Sequence, residues 1–187
     1  YEAGRYLYSS FNKNITVTMG AGVAQDLSGL PGNPVAQYYL GAVGTSTGLY
    51  RSTDWGLNHG QNVDTKKYLH TVLLNTVTAM TPIKVRILDY LMFYPFIGMD
   101  TGLQNLTNTI TLPRYAAREG VQMMLVEQNP YTGSAQVQIG YTNQDGVTGR
   151  LTPIIRLNTA TAIGTIATSE RRTLGVTGNF CALQQGD

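Results

Sequence analysis

Charge is what this chain has least of. Only 13% of its 187 residues are Asp, Glu, Lys or Arg, where about 25% is ordinary for a soluble domain. The formal net charge is +2, and the only adjacent basic pairs are Lys66-Lys67 and Arg171-Arg172. A surface that tracks phosphates needs a basic stripe, so direct DNA or RNA binding is not expected. Cysteine is nearly absent too. Cys181 stands alone, which excludes an intrachain disulfide and leaves stability to packing or subunit contacts. A lone Cys is most simply a small buried hydrophobe. One Cys and two His, His59 and His70, make no zinc spacing, so no metal and no cofactor is expected. No run of 18 apolar residues occurs, and no membrane span is expected. The most apolar stretch, 87–99, is broken by Asp89 and Pro95. Nothing at the start reads as a signal peptide, and Tyr1 in place of Met fits a trimmed or processed chain.

What is present points to strands and turns. Gly is 21 of 187, and Thr, Asn and Gln supply the polarity that charges normally supply. Such a composition builds β structure rather than exposed helices. It also suits a surface held against neighbours, because interface cores are poor in charge. The clearest pattern lies in residues 120–146. Ala135, Val137, Ile139 and Tyr141 alternate with Gln136, Gln138, Gly140 and Thr142, the period of a half-buried strand. Residues 121–127 are apolar on both sides apart from Gln122 and Glu127, as in a more central strand. Pro130 and Gly133 between them predict a reversal, and so a hairpin of 121–127 with 135–142. Asp145-Gly146 suits a second tight turn.

Elsewhere, 15–19 and 35–43 read as short strands, and 20–32 and 44–60 as loops, the latter holding Trp55. Residues 67–77 are long enough for a helix, but Thr71, Val72, Thr76 and Val77 favour a strand. Residues 83–94 give the strongest expectation of a core strand. Short strands are also expected at 109–112, 150–158 (edge-like because of Pro153), 161–168 and 173–182. No repeat or dividing linker is visible. The predicted fold is all-β: an antiparallel β-sandwich, jelly-roll-like, over 31–187, with an N-terminal arm and loop over 1–30.

Reactive chemistry finds little support. Gly44-Thr45-Ser46-Thr47-Gly48 matches G-x-S-x-G, with Asp54, His59, Asp64 and His70 downstream. The pattern needs a strand-to-helix elbow, and 49–56 does not read as a helix. A glycosidase needs two carboxyls facing one cleft; Asp89 with Glu119 or Glu127 is the only candidate pairing. Asp89 reads better as a buried or interfacial acid paired with Arg86 or Arg114. Asn143-Gln144-Asp145-Gly146 lacks the carboxylates of a calcium loop, and Gly20-Ala21-Gly22 lacks the Lys of a phosphate loop. Asn14-Ile15-Thr16 and Asn105-Leu106-Thr107 are formal glycosylation sequons. Trp55, with Tyr50 nearby, could stack on a sugar ring or anchor a subunit interface.

Several phrases carry a resemblance. Residues 89–100 (DYLMFYPFIGMD), 112–126 (LPRYAAREGVQMMLV), 129–149 (NPYTGSAQVQIGYTNQDGVTG) and 183–187 (LQQGD) resemble structural proteins of tailed-bacteriophage virions. The likeness covers roughly the second half of the chain and is one of phrasing and composition. It implies a small β-rich protein similar to head decoration or cement proteins. Such a protein would sit on the capsid surface after assembly in the host cytoplasm. Its partners would be the major capsid protein and its own copies, as a trimer or another homo-oligomer. The likeness also makes the ending at Gly186-Asp187 look abrupt, as though a further segment followed. The expected function is therefore non-enzymatic clamping of shell subunits, with Tyr6, Tyr8 and Phe11 of the arm and Trp55 of the long loop at the interface. A tail or baseplate β module binding a receptor or carbohydrate is the second expectation, and a hydrolase the third.

Overall fold

The computed structural model describes residues 8–15, 23–49, 56–57, 69–75, 85–98, 102–115, 117, 120–130, 132–133, 135–157, 162–167, 180–181 and 183. Among these there is no helix. The strands are β1 (Asn12–Lys13), β2 (Gly32–Asn33), β3 (Thr47–Gly48), β4 (Met92–Phe93), β5 (Gln136–Val137), β6 (Gly140–Tyr141), β7 (Arg150–Leu151) and β8 (Ile155–Arg156). They pair antiparallel as β1–β2, β3–β4, β5–β8 and β6–β7. The β expectation holds; among the described residues these pairs do not join into one closed sandwich.

The alternation at 135–141 works as read. Ala135, Val137 and Ile139 pack on the core cluster, while Gln136, Gln138 and Gly140 face out. Its partner, however, is the following segment. Val137 sits opposite Ile155 and Gly140 opposite Leu151. The 151–155 side therefore carries one residue more than the 137–140 side, a β-bulge. Pro153 lies in it, where a missing N–H costs no ladder bond. Thr152 closes the bulge: its N–H donates to Ile139 O at 2.9 Å, its Oγ1 accepts from Ile139 N at 3.0 Å, and its carbonyl accepts from Gln138 Nε2 at 2.7 Å. The hairpin ends in the predicted second turn. Asn143 Oδ1 accepts from the N–H of Asp145 and of Val147 at 3.1 and 2.8 Å, and Gly146 takes φ 80°.

Residues 121–127 do not form the first arm of that hairpin, which corrects the expectation. Their backbone pairs with a segment some forty residues later: Glu127 N–H donates to Thr165 O at 2.9 Å, Ala167 N–H to Leu125 O at 2.9 Å, and Cys181 N–H to Met123 O at 2.7 Å. The far side of 164–166 takes residues 24–26, through Asp26 N–H to Gly164 O and Ile166 N–H to Ala24 O. Residues 164–167 are thus central, and part of the predicted 20–32 loop is an edge. The core gathers at this crossing: Ile155, Leu157, Ala167 and Cys181 are buried, with Met123 and Leu125 against them.

Burial pushes the Cys181 thiol up to about 11 from an ordinary 9.0. Above pH 9 the unfolded chain loses this proton first and binds fewer protons than the folded chain, so stability falls with rising pH. The contribution is whole below pH 9 and is lost as pH climbs through 11. The expected loss is about 2–3 kcal/mol. Urea titrations at stepped pH, wild type against Cys181→Ala, should show that extra alkaline slope only in the wild type.

A second sheet-like patch centres on 44–49, read from the sequence as loop. It runs between 91–95 and 107–109: Leu49 N–H donates to Leu91 O, Gly44 N–H to Pro95 O and Ser46 N–H to Thr107 O, at 2.8 to 3.1 Å. The predicted strand at 35–43 does not form. Tyr39 takes φ 45°, which reverses the alternation, and it alone of the large side chains there turns inward. Of the predicted 83–94 strand only Met92–Phe93 pairs, while Val85, Ile87 and Leu88 are exposed. The described part of 67–77, residues 69–75, is exposed throughout and unpaired as strand. The predicted strand at 109–112 is absent; Thr107 is the bridged residue.

Candidate interaction surface

The described part of the arm is fastened through β1. β1 pairs with β2, with Asn12 opposite Asn33 and Lys13 opposite Gly32. Gly32 takes φ 138°, and a Cβ there would collide with the carbonyl of Asn12. The close approach therefore requires glycine. The Lys13 side chain then reaches into a ring of main-chain carbonyls. Its Nζ lies 2.6 Å from Pro34 O, 2.9 Å from Leu30 O and 3.4 Å from both Ser28 O and Val35 O. Three ammonium protons face four acceptors, so the two short bonds set its position. Burial lowers the Lys13 pKa, and the Asp26 charge opposes that shift. The ammonium also stands 5.5 Å from the centroid of the Phe11 ring, within cation–π reach.

Beneath this cradle lies a polar network. Ser28 donates from N–H and Oγ to the two Asp26 carboxylate oxygens, at 2.9 and 2.6 Å, and its Oγ meets the Tyr39 hydroxyl at 2.5 Å. The Tyr90 ring lies beside it, its centroid 6.3 Å from that of Tyr39. Burial first, and the Asp26 charge second, push both tyrosine hydroxyls well above their ordinary range. Both stay protonated, and because the Ser28 hydroxyl gives its proton to Asp26, the Tyr39 hydroxyl is the donor to Ser28 Oγ. The Tyr39 ring packs edge-on against Phe93 at 5.1 Å. The arm base, the 26–39 segment and β4 are thereby tied together.

Of the four expected interface residues, Tyr8 is 87% exposed and Phe11 40% exposed. Tyr8 projects from the arm and Phe11 shields Lys13. Tyr6 and Trp55 lie outside the described residues, as does Tyr50. The larger exposed apolar surface falls within 67–77, read from the sequence as a strand, and within 83–94, read as a core strand. Leu69, Val72, Leu73 and Leu74, and then Val85, Ile87 and Leu88, are all exposed, Leu73 at 84%. Sequence periodicity flagged these residues as apolar but assigned them an internal partner.

The reactive candidates resolve differently. Ser46 is 4% exposed. Its Oγ donates to Asn108 Oδ1 at 3.0 Å and accepts from Thr109 N at 2.8 Å. The next residues are strand β3, not a helix, so the elbow is not formed. Asp54, His59 and Asp64 lie outside the described residues, and His70 is exposed with Nδ1 2.7 Å from Thr71 Oγ1. Asp89 pairs with Arg114, one of the two arginines expected. Arg114 Nε and Nη2 reach its two oxygens at 3.0 and 2.6 Å. The pair is half-exposed rather than buried. Arg114 also donates to Leu49 O and Tyr90 O, at 3.3 and 3.1 Å, so it buckles the 44–49 segment to 89–90. The Asp89 bond holds its guanidinium pKa up. Glu127 carries the backbone pairing described above, and Glu119 lies outside the described residues. Among the described residues no group of three or more His, Cys, Asp or Glu could hold a metal ion, and no helix is long and apolar enough to cross a membrane.

The described residues are free of helix and form short antiparallel β pairs, with exposed apolar segments and a clamped arm. No protein-family model matches the chain, no curated protein matches it, and no solved structure matches it.

Proposed function

We propose that this chain is a virion structural protein of the capsid decoration, or cement, type, binding between shell subunits and stabilising the head by lateral contact. One observation carries the reading. Seven apolar side chains at 69–74 and 85–88 are solvent-exposed, in segments whose composition asks for burial. Burying a Leu, Val or Ile side chain fully is worth about 1.5–3 kcal/mol, and apolar patches of this kind mark association surfaces. In the assembled particle these segments lie against a second copy and against the major capsid protein. There they complete a jelly-roll-like sandwich from the antiparallel pairs. Low charge removes the desolvation cost that would oppose such contact. The arm adds reach, since ten extended residues span at most about 33–36 Å. Many copies on one shell multiply a modest single contact.

The test is sizing of the purified chain alone and after mixing with virion shells. Oligomers and saturable, stoichiometric attachment are expected. Leu69→Asp with Leu73→Asp should weaken attachment at least tenfold while leaving the fold intact, because both side chains are already exposed. A monomer that ignores shells, or attachment indifferent to the double change, overturns the reading.

A further inference from the structure

A cleft of about 380 Å³ opens beside the 29–40 segment. It is built from four stretches far apart in sequence: 29–40, Phe96, 128–129 and Ile163. Its size is at the lower end of the about 300–1,000 Å³ typical of ligand sites. Two aromatic side chains, Tyr38 and Phe96, line it and are exposed, Tyr38 at 71%. Three amides, Gln37, Gln128 and Asn129, also line it. Among the described residues none of these amide side chains has a protein hydrogen-bond partner. None of the described lining residues is charged.

Phe96 is placed there against its own backbone preference, at φ 55°. A non-glycine residue in this region is strained, and such strain concentrates at ligand clamps. Tyr38 precedes Tyr39, itself at φ 45° and buried in the polar network. Burying Tyr39 leaves its neighbour Tyr38 facing outward.

The geometry points to a binding site for a neutral saccharide of one or two rings. The described lining offers no charge to pair with a phosphate, carboxylate or ammonium. Amides are the neutral side chains that both donate and accept, and so match hydroxyls, which do the same. Aromatic faces carry negative charge density and attract the weakly positive C–H face of a pyranose. An apolar peptide would leave three amides without partners, which burial penalises. None of the described lining residues belongs to the 69–74 or 85–88 segments, so the shell-attachment reading stands or falls independently of this cleft.

The experiment titrates the purified chain with tetramers of α-1,4-glucose, β-1,4-glucose and β-1,4-N-acetylglucosamine, followed by calorimetry and by tyrosine fluorescence. Saturable binding to at least one is expected. Tyr38→Ala should weaken it tenfold or more, and Tyr8→Ala, on the arm, should leave it unchanged. Gly29→Phe should block it. A Cβ on Gly29 would meet Gln37 O, Gln128 Oε1 and Ile163 Cγ2 at ordinary contact distances of 3.6 to 3.9 Å, so a ring there fills the cleft without backbone strain. Phe96→Gly separates function from stability: it relieves the positive φ and should keep the melting temperature while binding falls. No saturable binding to any tetramer overturns the proposal. So does binding that survives both Tyr38→Ala and Gly29→Phe, or concentration-dependent self-association that Tyr38→Ala abolishes.

Discussion

Gly164→Ala should lower the unfolding free energy by about 3–5 kcal/mol. Gly164 lies in the central segment, donating from N–H to Glu127 O on one side and accepting from Asp26 N–H on the other, both at 2.7 Å. Its φ is 88°, and a Cβ would run into the carbonyl oxygen of Asp26. That oxygen belongs to main chain and cannot swing aside like the end of a flexible side chain. Either the 24–26 edge detaches or residue 164 leaves its conformation, and both routes lose the paired hydrogen bonds. Gly146→Ala is the matched control. Gly146 has φ 80° with nothing within 4 Å of its added Cβ, so the change carries left-handed strain alone, about 1–2 kcal/mol. Urea midpoints at constant m-value compare the two. Equal losses would mean that the close approach of 164 to 26 is not part of the folded state.

Ile155→Ala should cost about 3–4 kcal/mol, within the range for emptying a packed aliphatic site. Ile155 is 1% exposed and sits opposite Val137 in the β5–β8 pair. Around it are Leu157, Ala167 and Cys181, with Met123 and Leu125 beside them. These come from separate segments held by their own backbone bonds, so the cavity cannot close by moving one strand. Ile154→Ala tests whether the effect belongs to the inward face. Ile154 is its immediate neighbour and is 52% exposed, and a surface change of this kind stays within about 0.5 kcal/mol. At 187 residues, the Ile155 loss corresponds to a melting shift of roughly 6–16 °C. A shift no larger than that of Ile154→Ala would place the core elsewhere.

The two proposals make separate demands on the same molecule. Shell attachment depends on apolar residues at 69–74 and 85–88, whereas saccharide binding depends on Tyr38, Phe96 and three amides. Tyr38→Ala should therefore leave shell attachment intact, and Leu73→Asp should leave saccharide titrations intact. The Asp26–Ser28–Tyr39 network ties residues 26, 28 and 39 together, in the same segment that supplies Gly29, Gln37 and Tyr38 to the cleft.

Local chemistry was legible from the residues alone. The turn at 143–147 followed from Asp145-Gly146, because a glycine's tolerance of positive φ is a one-residue property; the capping Asn143 oxygen came only with the structure. The in-and-out order of 135–141 followed from its alternation, and the Arg114 partner of Asp89 was one of two named. What only the tertiary structure decided was who meets whom. Backbone hydrogen bonds are the same for every sequence, so nothing in 121–127 announces that it pairs with 165–167 and Cys181 rather than with the strand after the next turn. For the same reason the apolar residues at 69–74 and 85–88 read as strands, the second as a core strand: periodicity reports that a face needs covering, not whether the covering lies in the same chain. The cleft was invisible for a further reason, since Gly29, Tyr38, Phe96, Gln128 and Ile163 share no spacing, and only the folding of four distant stretches onto one another brings them to a common wall.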